Sequence, residues 1–319
     1  MKVIVVLLLS LLTFPCQADV PNSWRDEFPL NDFTKMSIDI SEVMSGGPPR
    51  DGIPPIDNPL FAPANTLQIP NTEPVIGLHV GNQFKAYPVR MLMWHEIVND
   101  VIGNTPVTVT FCPLCNAAIV FDRRVQGRVL DFGTTGKLRF SDLIMYDRQT
   151  ETFFQQAIGE GIVGDLTGVQ LKMLPARLES FANYKARAGD DALVLVPNSP
   201  SSRAYGKNPY AGYDEAPKPF LYRGELPSNI NPMLRVVTTG NRSVAYTLDY
   251  LREQKMIRTD NGTVFRWSAG QNTALGSGTI AKGRDVGNVT AKLDGKDVVY
   301  FVEFAFVYHA FNPAGKIEP

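Results

Sequence analysis

The stretch TVTFCPLCNAAIVF, residues 108–121, places a Cys-x-x-Cys pair between two runs of β-branched, aromatic and small apolar residues. The first run is typical of a strand, and the second reads as a strand rather than as a long amphipathic helix. The proline between the two thiols is a turn residue. The stretch therefore predicts two strands that are joined by a tight turn carrying Cys112 and Cys115.

Short strands are also indicated on both sides of this stretch. Residues 74–89, PVIGLHVGNQFKAYPV, cluster β-branched and aromatic residues around a Gly-Asn turn, and residues 138–148, LRFSDLIMYDR, read as another strand. Residues 90–100, RMLMWHEIVND, place their apolar side chains on roughly one face of a short helix. The body of the protein is therefore expected to be rich in β-structure, with only short helices.

Two alignments within the chain indicate an internal repeat. Residues 85–98, KAYPVRMLMWHEIV, align with residues 244–257, VAYTLDYLREQKMI. The stretch at 108–121 aligns with residues 263–276, TVFRWSAGQNTALG, with a shift of one residue that matches residues 116–118 to residues 272–274. Repeated segments of this kind indicate that one supersecondary unit occurs twice. The predicted fold class is therefore α+β and β-rich, a duplicated and mainly antiparallel β unit with short helices and an irregular N-terminal arm.

The two copies differ at the residues that could carry chemistry. Four side chains of the first copy are replaced by unrelated ones in the second: Cys112 and Cys115 (by Ser268 and Gln271), and His95 and Glu96 (by Gln254 and Lys255). If the alignment holds, the unit does not need these four residues in order to fold. Their presence together in one copy favours a local functional site.

The first twenty residues, MKVIVVLLLSLLTFPCQADV, combine a lysine, an apolar run and small Ala18, which is the layout of a secretory signal peptide. We therefore expect export to the bacterial periplasm, with cleavage near Ala18 and loss of Cys16. Five segments are predicted: a signal peptide (1–18), a Pro/Gly-rich arm (19–70), a first repeat unit with the CPLC site (71–190), a connector (191–235) and a second repeat unit without that site (236–319).

A soft-metal site is the preferred interpretation of the thiol pair. Cys-x-x-Cys brings two sulfur atoms to one side of a turn, and thiolates select ions such as Cu(I) and Zn(II). Two cysteines need a further ligand, so the predicted metal ligands are Cys112, Cys115 and His95, with copper preferred and zinc as the alternative. Three further residues are predicted to contact and orient these ligands without binding the metal themselves: Glu96, Asp147 and Arg148.

Two other interpretations of the thiols stay open. The pair could be the redox couple of a thiol–disulfide oxidoreductase, or a structural disulfide in an exported binding or scaffold protein. No catalytic residue is assigned under any of the three. The expected partner is another exported metal or redox protein. Nucleic acid is not expected as a partner, because 31 basic against 32 acidic residues offer no electrostatic footprint for it. No membrane span is expected in the mature chain.

Several motifs together resemble a bacterial family of exported proteins, the domain-of-unknown-function family 3179. They are GGPPRDGIPPIDNP, AYPVRMLMWHEIVND, VTFCPLCNAAIVFDR, FGTTGKLRFSDLIMYDRQTETFFQQAIGEGIVG and GRDVG. The resemblance implies that the arm, the HEIVND segment and the CPLC turn form one functional unit, but it supplies no activity. The positions that it implies are His95, Glu96, Asn99, Asp100, Cys112, Cys115, Asn116, Arg123, Asp147 and Arg148.

Overall fold

A computed structural model describes residues 19–319, so the predicted signal peptide lies outside the described residues. The helices are α1 (Asn22–Glu27), α2 (Val89–His95), α3 (Phe181–Ala188), α4 (Leu248–Gln254) and α5 (Ala305–Phe311). The strands are β1 (Val43–Ser45), β2 (Leu60–Pro63), β3 (Pro74–Val80), β4 (Gln83–Pro88), β5 (Ile97–Ile102), β6 (Thr105–Cys112), β7 (Ala117–Asp122), β8 (Arg124–Val125), β9 (Arg128–Val129), β10 (Phe132–Arg139), β11 (Asp142–Asp147), β12 (Phe153–Gln155), β13 (Glu160–Val163), β14 (Lys172–Leu174), β15 (Ala176–Ser180), β16 (Leu193–Val196), β17 (Arg235–Thr239), β18 (Val244–Thr247), β19 (Met256–Arg258), β20 (Val264–Ser268), β21 (Asn288–Leu293), β22 (Lys296–Asp297), β23 (Tyr300–Phe304) and β24 (Lys316–Glu318).

In the part of the chain that the structure describes, the strands form five sheets of four or five strands each, arranged like the blades of a five-bladed propeller, and β8 and β9 form a separate two-stranded sheet. Their orders are β1-β10-β11-β12-β13, β14-β7-β6-β5, β15-β3-β4-β16-β2, β23-β17-β18-β24 and β19-β20-β21-β22. Most neighbours are antiparallel, while β16 runs parallel to β4 and β24 runs parallel to β18. The expected β-rich fold with short helices is thus confirmed. Within residues 19–319, no helix has the length and apolarity that a membrane crossing requires.

The predicted simple duplication of one unit is wrong. The aligned segments do share a strand, a short helix and a second strand, namely β4-α2-β5 and β18-α4-β19. Beyond them the chain diverges, because residues 113–116 join β6 to β7 whereas residues 269–287 separate β20 from β21. Local patterns report strands and helices, but they do not encode how five sheets are ordered around one another. The alignment therefore found a shared local segment and not the architecture.

The main hydrophobic core is built around α2 and the hairpin of β6 and β7. Strand β6 is buried from Pro106 to Cys112, on both of its faces, which explains its nearly continuous run of β-branched residues. Val109 and Phe121 are fully or almost fully buried in this core, and so are Cys112 and Cys115. The thiols are therefore held inside the main hydrophobic core.

The N-terminal arm is packed onto the body. Phe28, which directly follows α1, lies edge-on against Phe153 with ring centroids 4.9 Å apart, and both side chains are fully buried. Strand β1 adds to the edge of β10, and β2 adds to the edge of β16. Edge pairing satisfies the backbone groups of a proline-rich segment that forms little regular structure by itself.

Gly136 fixes where the arm lies. It has a φ of +68°, its carbonyl accepts from the backbone N–H of Gly46 at 2.8 Å, and a Cβ atom there would collide with the carbonyl oxygen of Pro48. We expect Gly136→Ala to lower the free energy of unfolding by about 3 kcal/mol, from strain and collision together. Limited proteolysis should then cut the arm faster.

The matched control for this change is Gly127→Ala, because Gly127 has a φ of +78° in an open turn with no atom within 4 Å of the added Cβ. It should cost about 1 kcal/mol and leave the arm protected. Denaturant unfolding and proteolysis of both variants check the prediction. Equal losses of stability in the two variants would contradict the proposed role of Gly136.

Candidate functional site

Cys112 and Cys115 are held by the turn between β6 and β7. The backbone N–H of Cys115 donates to the carbonyl of Cys112 at 3.2 Å, and that of Asn116 donates to the carbonyl of Pro113 at 3.3 Å. Asn116 takes a φ of +54°, which asparagine tolerates better than most residues. Both thiols are free and buried. The predicted turn with its two thiols is therefore present.

The hairpin of β10 and β11 faces the two thiols. Its central residues, Phe140 and Ser141, have φ values of +55° and +65°, as in a type I′ turn, although neither is glycine. The carbonyl oxygen of Ser141 lies 3.6 Å from the sulfur atom of Cys112 and 3.6 Å from that of Cys115. Two consecutive residues in this conformation store strain, which is commonly found at functional sites.

Asp142 follows this turn and completes a group with the thiols. One donor atom from each of Cys112, Cys115 and Asp142 lies within 4.8 Å of the others, and all three residues are buried. Asp142 Oδ2 accepts from the side chain of Gln155 at 2.6 Å and from the backbone N–H of Ala157 at 2.8 Å. Its other oxygen, Oδ1, is buried and has no hydrogen-bond partner within residues 19–319.

Burial makes every acidic group of this region hard to ionise. It raises the pKa of Cys112, and it raises the pKa of Cys115 well above that of an ordinary thiol. Burial also raises the pKa of Asp142 to about 6, and burial together with the charge of Asp142 raises the pKa of Glu96 to about 8. A bound cation would offset these costs by stabilising the deprotonated forms.

His95 is not brought to the thiols. Its Nδ1 lies 2.8 Å from the carbonyl oxygen of Pro54, and its Nε2 lies 2.8 Å from the hydroxyl of Tyr205. Because a carbonyl can only accept, Nδ1 donates and the neutral ring accepts from Tyr205 through Nε2. Burial lowers the pKa of His95 and favours this neutral form. Its role in the structure is to tie α2 to the arm and the connector.

The three residues predicted to support the ligands lie in different places. Glu96 lines a cavity that also touches Cys112. Asp147 uses both carboxylate oxygens to accept hydrogen bonds within the turn at 149–152. Arg148 donates to Asp57 of the arm at 2.7 Å. Only Glu96 is therefore close to the thiols, and the other two organise a turn and dock the arm.

The remaining motif positions have structural partners. Asn99 donates to Asp57 and to the carbonyl of Phe132, each at 2.8 Å. Asp100 forms a buried ion pair with Lys85, with 2.7 Å between Nζ and Oδ2. Asn116 donates to the carbonyl of Val302 at 2.9 Å, and Arg123 donates to the carbonyl of Leu130 at 2.9 Å. These contacts join the arm, the sheets and the C-terminal part of the chain around the thiol hairpin.

Asp142 is the residue that the sequence analysis missed as a candidate ligand. The available signal was an acidic residue inside the apolar strand pattern LRFSDLIMYDR. A carboxylate in such a run is buried, and a buried carboxylate needs a partner. What the sequence does not show is that the turn at Phe140 and Ser141 presents this strand to the cysteines.

Comparison with known proteins identifies a family whose model covers most of the chain. The model of the family described as "Protein of unknown function (DUF3179)" matches residues 50–315. No curated protein matches the chain, and no solved structure matches it either. The matched range includes both facing hairpins, so Cys112, Cys115 and Asp142 all lie inside it.

Proposed function

The chain belongs to the DUF3179 family, and since that description assigns no activity, we propose from the site itself that the protein binds one metal ion through Cys112, Cys115 and Asp142. The observation that carries the proposal is the bare carboxylate oxygen of Asp142, which is buried beside two free thiols. Buried polar atoms are nearly always satisfied. A metal ion would give Oδ1 a partner and would replace the protons that both thiols now direct at the carbonyl of Ser141.

The donor atoms have a spacing that one ion can bridge. Donors of a tetrahedral zinc site lie roughly 3.5 Å apart, given Zn–S and Zn–O bonds of about 2.3 and 2.0 Å. The three atoms here lie within 4.8 Å of one another, so modest side-chain movement closes the site. Both thiols must lose their protons to bind, and their raised pKa values make affinity increase with pH.

Zinc fits this donor set better than copper does. Two thiolates alone would suit Cu(I), which is the ion preferred on the sequence. A carboxylate oxygen is a harder ligand, and Zn(II) accepts sulfur and oxygen together. We therefore propose Zn(II) as the bound ion, with Cu(I) held by the two sulfur atoms as the alternative. We propose that the protein delivers or sequesters this metal ion in the periplasm.

Gln155 acts as a positioning residue under this proposal. It and Ala157 both donate to Oδ2 of Asp142, which fixes the orientation of the carboxylate beside the thiols. We expect Gln155→Met to weaken zinc affinity by about 10- to 100-fold, because Asp142 is then free to rotate. Competition titration with a chromophoric chelator measures the change.

Gln156→Met is the matched control for that titration. Gln156 is equally buried, but its amide donates to Thr110 at 2.8 Å instead of to Asp142. The control should lose stability and keep its zinc affinity. If both variants lose affinity equally, the effect comes from general loosening of the core and not from the position of Asp142.

Elemental analysis paired with thiol counting tests the proposed function. For this test the full chain is expressed with its N-terminal segment and purified under reducing and metal-replete conditions. The purified protein is then assayed for zinc, copper and reactive thiols. We expect one zinc ion per chain and two thiols that become reactive only after chelation. Absence of stoichiometric metal with two free thiols, or with none, would reject the proposal.

Redox exchange is less well supported by the site. An attacking thiol in an oxidoreductase is exposed and has a lowered pKa. Here both thiols are buried and burial raises the pKa of each. A structural disulfide between Cys112 and Cys115 is the remaining alternative, and it predicts that chelators have no effect on stability while reductants lower it.

A further inference from the structure

A cavity of about 110 Å³ lies directly beside Cys112. Three separate parts of the chain wall it: the arm through Ile53, strand β10 through Leu138, and the connector through Tyr210 and Leu221. Most of the lining is apolar, which is typical of sites that hold small organic molecules. The cavity exists only because the arm and the connector fold over the thiol hairpin.

Two polar groups in this cavity have no hydrogen-bond partner among the described residues, namely the carboxyl of Glu96 and the hydroxyl of Tyr210. Glu96 is only 8 % exposed. It lines the cavity together with Cys112 and Tyr210. Neither group is among the fully buried polar atoms that lack a partner, so both reach the space of the cavity, where the polar end of a bound molecule can contact them.

The fold does not require a carboxyl at this position. Glu96 directly follows α2 and caps it with a φ of +56°. Lys255 directly follows α4 and caps it in the same way with a φ of +61°. The ammonium of Lys255 is satisfied, since it lies over the ring of Trp267 at 4.2 Å from the centroid. The same helix end is therefore compatible with a different side chain. Glu96 is a buried acid that the local backbone does not need.

We propose that this cavity binds a small organic molecule with an N–H or O–H donor at one end and a short apolar tail. The donor meets Glu96, and the tail packs against Ile53, Leu138 and Leu221. The cavity is smaller than one of about 150 Å³ that admits benzene, which limits the ligand to about four or five heavy atoms. The site goes beyond metal binding and does not need a metal.

Three probes with one carbon skeleton test the proposal: propan-2-amine, propan-2-ol and acetone. They are titrated into the reduced, metal-free protein, and binding is followed through the methyl resonances of Ile53, Leu138 and Leu221. We expect saturable shifts with the amine and the alcohol, and binding at least tenfold weaker for acetone, which has no donor. Shifts confined to other methyl groups, or acetone binding as tightly as the amine, would overturn the proposal.

Variants locate the site and separate it from the metal. Glu96→Gln should weaken amine binding about tenfold, whereas the exposed Glu253→Gln should not change it. Ile53→Phe, or Leu221→Phe if the first does not fold, should block all three probes. The single variant Cys115→Ser changes a proposed metal ligand that does not line the cavity, and it should keep amine binding while it loses zinc affinity. Unchanged amine binding by Glu96→Gln would overturn the role of Glu96, whatever the outcome for zinc.

Discussion

Replacing Cys112 and Cys115 together with serine should lower zinc affinity by at least about 1000-fold, to the level of nonspecific binding. Two of the three proposed ligands are lost, and a serine hydroxyl does not ionise near neutral pH. The metal-free variant should lose only about 1–3 kcal/mol of unfolding free energy, because each serine places a small polar group in a buried position. Competition titration and denaturant unfolding measure the two quantities separately.

Ser141→Ala serves as the control for the double variant. Ser141 contacts both thiols through its backbone carbonyl, while its hydroxyl donates to Phe220 at 2.6 Å. Removal of the hydroxyl should therefore leave zinc affinity within about twofold of the parent protein. A double cysteine variant that still binds one zinc ion at the parent affinity would contradict the assignment of the thiols as ligands.

Glu96→Gln should make the metal-free protein more stable relative to the parent as the pH rises. The pKa of Glu96 is about 8 in the folded protein against 4.5 for the unfolded group. Folding then favours the protonated form, so the stability present below pH 4.5 is lost progressively as the pH rises through 8. Glutamine mimics the protonated acid and cannot lose a proton. The stability difference between variant and parent should grow by about 4 kcal/mol from pH 4 to pH 9.

Urea unfolding at a series of pH values, on reduced and metal-free protein, checks this expectation. Glu253→Gln changes an exposed residue of α4 and should show no such trend. Because both cysteines are present in the parent and in the variant, their own ionisation cancels in the difference. A difference that stays constant from pH 4 to pH 9 would show that Glu96 titrates as an ordinary exposed acid.

The sequence was sufficient for the features that depend on local patterns. The strands on either side of the thiols and the turn that carries Cys112 and Cys115 follow from apolar periodicity and turn residues. The short helix predicted over residues 90–100 is right only as far as His95, because residues 97–102 form β5. Glu96 was predicted to support the ligands because it adjoins His95 in the chain and is replaced by Lys255 in the second aligned segment. These elements are close in sequence, so little tertiary information was needed.

The third donor could not be predicted in the same way. His95 was preferred because it lies near the thiols in the chain and its imidazole is a good ligand. Its two ring nitrogens instead contact Pro54 and Tyr205, which come from the arm and the connector. Asp142 reaches the thiols only because two residues with positive φ turn β10 into β11. The positions of His95 and Asp142 therefore depend on contacts between segments that are distant in the sequence.

The prediction of a duplicated unit was wrong for a related reason. A strand, a helix and a strand recur at β4-α2-β5 and β18-α4-β19, and the alignment detected them correctly as local structure. The alignment still supports one conclusion about Glu96: the end of this helix does not need an acidic side chain, since Lys255 occupies the same position after α4. The comparison of Cys112 with Ser268 does not survive, because β20 does not return through a tight turn as β6 does.

X-ray absorption spectroscopy of the zinc-loaded protein at the zinc edge tests the central claim most directly, because it counts the ligand atoms around the ion. The account predicts two sulfur atoms at about 2.3 Å together with oxygen ligands at about 2.0 Å, and loss of the sulfur signal in the variant with both Cys112 and Cys115 replaced by serine. A zinc shell made only of oxygen and nitrogen, with the two thiols free, would contradict it.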